Sequence, residues 1–314
     1  MEETTRRTVL GSLGFAAAAG LAGGVAARGQ RSRGNDQLER VLSTGRPVSE
    51  NIGFAENGDL YVGITGGSVR RLPANRTDET GLPLSATSTV GTYPGGVAGV
   101  FVTDGVLYTA VNGEFGGVYA FDLGSEDEPR KLATLLPEGN GFVNDLYAEE
   151  DGDRLLVTES FGGVVYEVPF DGGDPEVWVD SPLLDTASFG ANGITRIADD
   201  VYVNVTRTGE VGRIVRAPLD LDGSAGAPET YVESEALFGA DGLTACGPQL
   251  YVAVNGQNRI TRVTPSRRLQ TVVERGALSF PSEVVFDPTA GGKAFVCNFS
   301  PSAPEQAGVL RTHP

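Results

Sequence analysis

The sequence predicts an all-β chain folded as a six-bladed β-propeller, its ring closed by an N-terminal strand that completes the last blade. Three observations carry this. A short pattern, first seen as Glu50-Asn51-Ile52-Gly53-Phe54, returns with starts at Ala98, Asn144, Asn192, Asp241 and Ser282, and a period of roughly 40–50 residues marks a repeat architecture. Each repeat consists of short apolar or alternating runs broken by Gly, Asn and Asp, with no sustained helical period. The sixth copy ends before a fourth strand, while a spare strand-like run lies near the N-terminus.

Residues 1–28 read as an export segment. Thr5-Arg6-Arg7-Thr8-Val9-Leu10 is a twin-arginine pattern, followed by a small, weakly apolar stretch to Ala27. A charged start, an apolar middle and a small-residue end define a signal peptide. The stretch is too weakly hydrophobic to span a bilayer well, so the expectation is export without stable membrane insertion. Residues 29–37 form a polar linker, and residues 38–314 form the propeller.

Within the first repeat, three strands are predicted around Ile52–Phe54, Leu60–Ile64 and Val69–Leu72, with a fourth around Ser85–Gly91. Asn57-Gly58 is a hairpin turn, because both residues tolerate positive φ. The later copies follow the same grammar, and four strands per period make a propeller blade. In blade six the third strand falls near Gly308–Thr312. Leu38–Glu50 (LERVLSTGRPVSE) matches Leu269–Glu283 (LQTVVERGALSFPSE) in role. The strand near Leu38–Leu42 is therefore expected to complete blade six and remove the open edge.

Composition narrows the function. The chain has 314 residues and a net charge of −17. Nucleic acid and anionic membranes are thereby disfavoured as partners. Of the 24 basic residues only Lys131 and Lys293 are lysines, a balance that resembles proteins of salt-loving archaea, where molar salt screens self-repulsion. The lone histidine, His313, excludes an internal Ser-His-Asp triad and a His-ligated zinc. Cys246 and Cys297 lie in apolar runs and are expected to be buried free thiols.

The residues opening the six copies are Glu50, Ala98, Asn144, Asn192, Asp241 and Ser282. In a propeller they converge on the central axis. Any one of them alone would serve as a turn or strand-end residue, but their shared register makes a site. Two carboxylates and two carboxamides form an all-oxygen set suited to a hard cation, Ca²⁺ before Mg²⁺, and no His or Cys is present to favour a softer metal. The loops between second and third strands should rim the same mouth. They place Asn112, Glu159, Arg207 and Asn255 as substrate-binding candidates, with Arg207 as an anion clamp and Ser282 as a partner for metal-bound water.

With the motifs ENIGF, NDLYA, NGITR and DGLTA in this order, residues 38–314 resemble the senescence marker protein / gluconolactonase family of six-bladed propellers, related to the diisopropylfluorophosphatases and more distantly to the paraoxonases. The resemblance implies a catalytic divalent ion held by Glu50, Asn144, Asn192 and Asp241, and hydrolysis of a lactone or related ester or phosphoester. Asp241 would act as general base or nucleophile. Two departures are Ala98, which offers no polar group in blade two, and the lack of paraoxonase-type histidines. Two other readings stand beside this one: a non-catalytic, metal-stabilised propeller that binds a ligand or protein on its top face, and a strictosidine-synthase-like propeller. Because Glu50 follows the closing strand, Glu50→Gln is expected to weaken metal binding and to lower stability more than the equivalent change at Asn144.

Overall fold

A computed structural model of the chain describes residues 38–125, 127–136, 139–149 and 153–313. The expected export segment (1–28) and linker (29–37) lie outside the described residues. Among the described residues the regular structure is almost entirely β-strand, arranged in six sheets. The innermost strands are Ser49–Phe54, Val97–Thr103, Val143–Glu149, Ala191–Ile197, Ala240–Cys246 and Pro281–Phe286. Each packs against the next, and the last packs against the first, so the six blades close a ring. No helix among the described residues is long and apolar enough to cross a membrane.

Blade one shows why the sequence folds locally as it does. Its first hairpin turns through Asn57-Gly58, with Gly58 at φ +82°. The Asn57 Oδ1 atom accepts the backbone N–H of Asp59 at 3.0 Å, an Asx turn. Strands Leu60–Ile64 and Ser68–Leu72 follow as expected. The fourth strand is Ser88–Thr92 rather than Ser85–Gly91. Residues Leu84–Ala86 instead form a 3₁₀ turn, closed by the backbone N–H and hydroxyl of Thr87 on the Leu84 carbonyl.

The core is divided among the seams. Six apolar clusters each join residues of two adjacent blades. The seam between blades six and one contains Val41 and Leu42 of the N-terminal strand, both fully buried, with Ile52, Leu60 and Phe295. Cys297 lies in the same cluster and is buried and free; Cys246, expected to be buried, is exposed as the last residue of its strand.

Closure occurs through Glu39–Ser43, which pairs antiparallel with Gly308–Thr312. This strand reproduces the fourth strand of an ordinary blade down to its irregularity. In blade two the outer strand bulges between Lys131 and Ala133 and pairs Thr134 with Gly117. In blade six it bulges between Arg40 and Leu42 and pairs Ser43 with Gly308. A Cβ on Gly117 would lie 2.0 Å from the Ala133 oxygen, and one on Gly308 would lie 2.0 Å from the Leu42 oxygen. Both positions need glycine because the outer backbone passes too close for any side chain. The two-residue strand Leu82–Pro83 adds in parallel outside the closing strand.

Leu42→Ala is expected to destabilise the protein by about 3 kcal/mol, the cost of a cavity in a fully buried leucine site. Val177→Ala, on an outer strand with Val177 55% exposed, should change stability by less than about 0.5 kcal/mol. Denaturant midpoints for the two variants measure the difference. Equal midpoints would mean that the N-terminal strand does not close the ring.

Candidate metal centre

In every innermost strand the pairing with the second strand slips by one residue at the same place. The slips fall between Ser49 and Asn51, Val97 and Gly99, Val143 and Leu146, Ala191 and Ile194, Ala240 and Leu243, and Pro281 and Glu283. A bulge breaks the alternation of faces and re-aims the side chains beside it. The second residue of each strand sits at this bulge, and those residues are the six that the repeat singled out. In blades one, three and six the residue after it carries a second buried polar side chain; in blades two, four and five it is a glycine. Two tiers result: Glu50, Asn144, Asn192 and Asp241 above, and Asn51, Asp145 and Glu283 below. All seven are buried.

In the upper tier the carboxamides are oriented by hydroxyls of their own blades. Asn144 Nδ2 donates to Ser160 Oγ at 2.8 Å, and Asn192 Nδ2 donates to Thr206 Oγ1 at 2.9 Å. The nitrogen end of each is thereby committed, leaving the oxygen end available to a cation. Asp241 Oδ2 accepts from Asn255 Nδ2 at 2.7 Å, and Asn192 also hydrogen bonds to the Asp241 carboxylate. Asn204 ties the tier together, accepting from the Gly193 N–H and donating to the Asp241 carbonyl. Glu50 Oε2 is buried with no hydrogen-bond partner.

The lower tier laces neighbouring blades. Asn51 donates to Glu283 Oε2 at 3.2 Å and accepts from the Val100 N–H. Asp145 accepts from the Ile194 N–H at 3.1 Å. Glu283 Oε1 accepts from the Val284 N–H at 2.7 Å and from the Thr244 hydroxyl at 3.4 Å. Below this tier a cavity of ≈ 370 Å³ runs to the far ends of the inner strands, walled by Phe54, Phe101, Tyr147 and Phe286.

Four buried carboxylates thus share the axis. Burial, followed by the charges of Asp241, Asp145 and Glu283, pushes Glu50 well above the usual carboxylate range. Burial pushes Asp241 up to about 6, opposed by its bonds to Asn255 and Asn192. Asp145 and Glu283 are both raised, by burial first and by neighbouring carboxylates after it. No arginine or lysine is among the groups that shift these four. Such a cluster is costly unless protonated or matched by a cation. Among the described residues no three His, Cys, Asp or Glu side chains form a metal cluster of their own, so a cation in the upper tier would need the carboxamide oxygens of Asn144 and Asn192 beside Glu50 and Asp241. The orphaned Glu50 oxygen and the oxygen-only donors fit a hard dication.

The other sequence-derived candidates are already engaged within the chain. Asn112 exchanges two hydrogen bonds with the backbone of Val143. Glu159 accepts from the N–H groups of Phe142, Phe161 and Gly162 at 2.7, 2.9 and 2.6 Å. Arg207 donates to Ser188 Oγ, Asn255 holds Asp241, and the Ser282 hydroxyl donates to the Glu50 carbonyl. Sequence reasoning missed Asn51, Asp145 and Glu283. Their signal was the doubled polar pairs Glu50-Asn51, Asn144-Asp145 and Ser282-Glu283, which a strictly alternating strand would not turn to one side.

The electrostatics reverse the expectation for Glu50→Gln in metal-free protein. A carboxyl whose folded-state pKa is raised contributes stability below its unfolded pKa of about 4.3, and loses it as pH rises through the folded value. In chelator at pH 8, Glu50→Gln should therefore melt higher than the parent, and the gain should vanish near pH 4. Thermal melts across this range check it; a variant that melts lower at pH 8 would show that the position beside the seam outweighs the charge.

No model of a known protein family matches the sequence, and no curated protein matches it. Solved structures do. A gluconolactonase from Xanthomonas campestris superposes with a TM-score of 0.66 at 15% identity, covering 90% of this chain and 91% of that one. A luciferin-regenerating enzyme gives 0.65 at 16% identity, covering 89% and 96%. The PQQ-bound aldose sugar dehydrogenase of Streptomyces coelicolor gives 0.63 at 12% identity, covering 89% and 98%. At these identities the likeness establishes that the chain shares their β-propeller fold.

Proposed function

We propose that this chain is an exported hydrolase of lactones or related esters and phosphoesters that depends on a divalent cation, Ca²⁺ before others, held by Glu50, Asn144, Asn192 and Asp241. The observation that carries the reading is the buried, partnerless Glu50 Oε2, set among carboxylates that no basic group among the described residues neutralises. Bound there, the cation would act as a Lewis acid on the substrate carbonyl or phosphoryl oxygen. Among the solved structures of similar fold is a gluconolactonase, which supports lactone hydrolysis as the reaction class. The twin-arginine segment supports the placement outside the cytoplasm.

The chain's own residues supply the remaining functions. Asp241 is the group positioned to take a proton from water or to attack the acyl carbon. Asn255 fixes one of its oxygens at 2.7 Å, which limits carboxylate rotation and directs the other. Ser160 and Thr206 hold the two carboxamides in one orientation. Asn204 keeps the bulges of blades four and five in register, so that Asn192 and Asp241 stay together.

The second reading is a non-catalytic propeller whose cation only rigidifies the ring. The lower tier's lacing of blades favours it. One experiment separates the two. A lactone panel is assayed in molar salt with calcium, with chelator, and with Asp241→Asn. On the hydrolase reading, chelator abolishes turnover and Asp241→Asn lowers kcat by about 10²–10⁴-fold. Calcium that raises the melting temperature without any turnover would leave the rigidifying role alone, and turnover indifferent to both chelator and substitution would sink the metal-hydrolase reading.

A further inference from the structure

Above the upper tier Asn112 is engaged by Val143, Glu159 by three backbone N–H groups and Asn255 by Asp241, while Arg207 gives one hydrogen bond to Ser188. Beside them stands a set of aromatic side chains. Phe142 and Phe189 lie in the segments leading into the innermost strands of blades three and four, and Phe161 lies just past the second strand of blade three. Their rings form one cluster, with centroids 5.0 Å apart for Phe161–Phe189, 5.5 Å for Phe142–Phe189 and 6.1 Å for Phe142–Phe161. Phe161 is 46% exposed. Phe238 and Phe280 hold the corresponding lead-in positions of blades five and six and are half-buried. Phe115, in blade two, is 50% exposed.

This cluster is continuous with the candidate metal centre through Ser160. The Ser160 N–H donates to the Phe142 carbonyl, and its own carbonyl accepts from Gly190, next to Phe189. The same serine's hydroxyl accepts from Asn144 and donates to the Ala191 carbonyl. Glu159, buried, staples the Phe142 and Phe161 backbones from beneath. Two of the flanking phenylalanines are held at left-handed φ, Phe115 at 60° and Phe280 at 52°. A bulky side chain rarely adopts this conformation, and such strain concentrates at binding sites. Exposed aromatic surface braced in this way, beside a buried polar centre, fits a ligand with one polar reacting end and one apolar arm.

We infer that Phe142, Phe161 and Phe189 form an aromatic collar that binds the alkyl or aryl arm of the substrate, so that the preferred substrates are hydrophobic lactones or esters rather than sugar lactones. The inference rests on the hydrolase reading for where the reacting group sits, but the collar can be tested without turnover. The probes are γ-lactams, which the site should not cleave, carrying alkyl chains of increasing length. They are titrated calorimetrically into the calcium-loaded full chain in molar salt, beside rate measurements on the matching γ-lactones and on D-glucono-δ-lactone.

Affinity for the lactams should rise about three- to fourfold per methylene over the first several carbons, and kcat/KM for the lactones should rise in step. Phe161→Ala, at a half-exposed position, and Phe189→Ala should each weaken binding of the longest chain about tenfold and of the shortest less than twofold. Lactam binding with this chain-length slope but no lactone turnover would remove the hydrolase reading and leave the collar standing. A flat slope, a slope unmoved by either substitution, or a higher kcat/KM on D-glucono-δ-lactone would overturn the collar. So would a concentration-dependent dimer that Phe161→Ala dissolves, since the aromatic face would then belong to a second copy of the chain.

Discussion

One extra residue in the innermost strand of every blade is the constraint on which this molecule depends. Without it each strand would alternate faces, and only every second residue could reach the axis. With it, two consecutive residues turn inward, and the channel gains two tiers of polar groups instead of one. The upper tier offers oxygens to a ligand. The lower tier bonds across blades, linking blade one to the backbone of blade two and to the Glu283 side chain of blade six, and blade three to the backbone of blade four. The same local irregularity therefore builds a candidate site and part of the ring that holds it.

The price of that arrangement is electrostatic. Glu50, Asp145, Asp241 and Glu283 are all buried; burial raises the proton affinity of each, and the charge of Asp241 adds to the rise at the other three. Elsewhere the chain avoids such crowding. Glu149, equally buried, is matched by both Arg154 and Arg196, and Asp59 is matched by Arg71. The contrast between paired carboxylates on the blades and unpaired carboxylates on the axis marks the axis as the place where the carboxyls hold their protons unless a cation from outside the chain matches them.

Much of the fold could be read from the chain order. The repeat located all six innermost strands, and the match between Leu38–Glu50 and Leu269–Glu283 located the closing strand, because both depend on local apolar patterning and on turns that a few residues encode. The fourth strand of blade one was placed three residues early, since nothing in Leu84-Ser85-Ala86 announces a 3₁₀ turn held by Thr87. Cys246 was expected inside because its run is apolar, yet it sits where that strand ends at the surface.

The site divides along the same line. The sequence by itself determined which six residues share a register and that all of them but Ala98 carry oxygen donors, with no histidine or cysteine among the six, because repeat spacing and residue chemistry are one-dimensional properties. Only the tertiary structure decided that Asp145 and Glu283 join Glu50 and Asp241, since bulges and inter-blade proximity are not written in any single repeat. It also decided that Asn112, Glu159 and Asn255 serve the scaffold: a carboxylate or carboxamide in a loop reads the same whether it faces solvent or caps three backbone N–H groups. That choice belongs to the packing of one blade on the next.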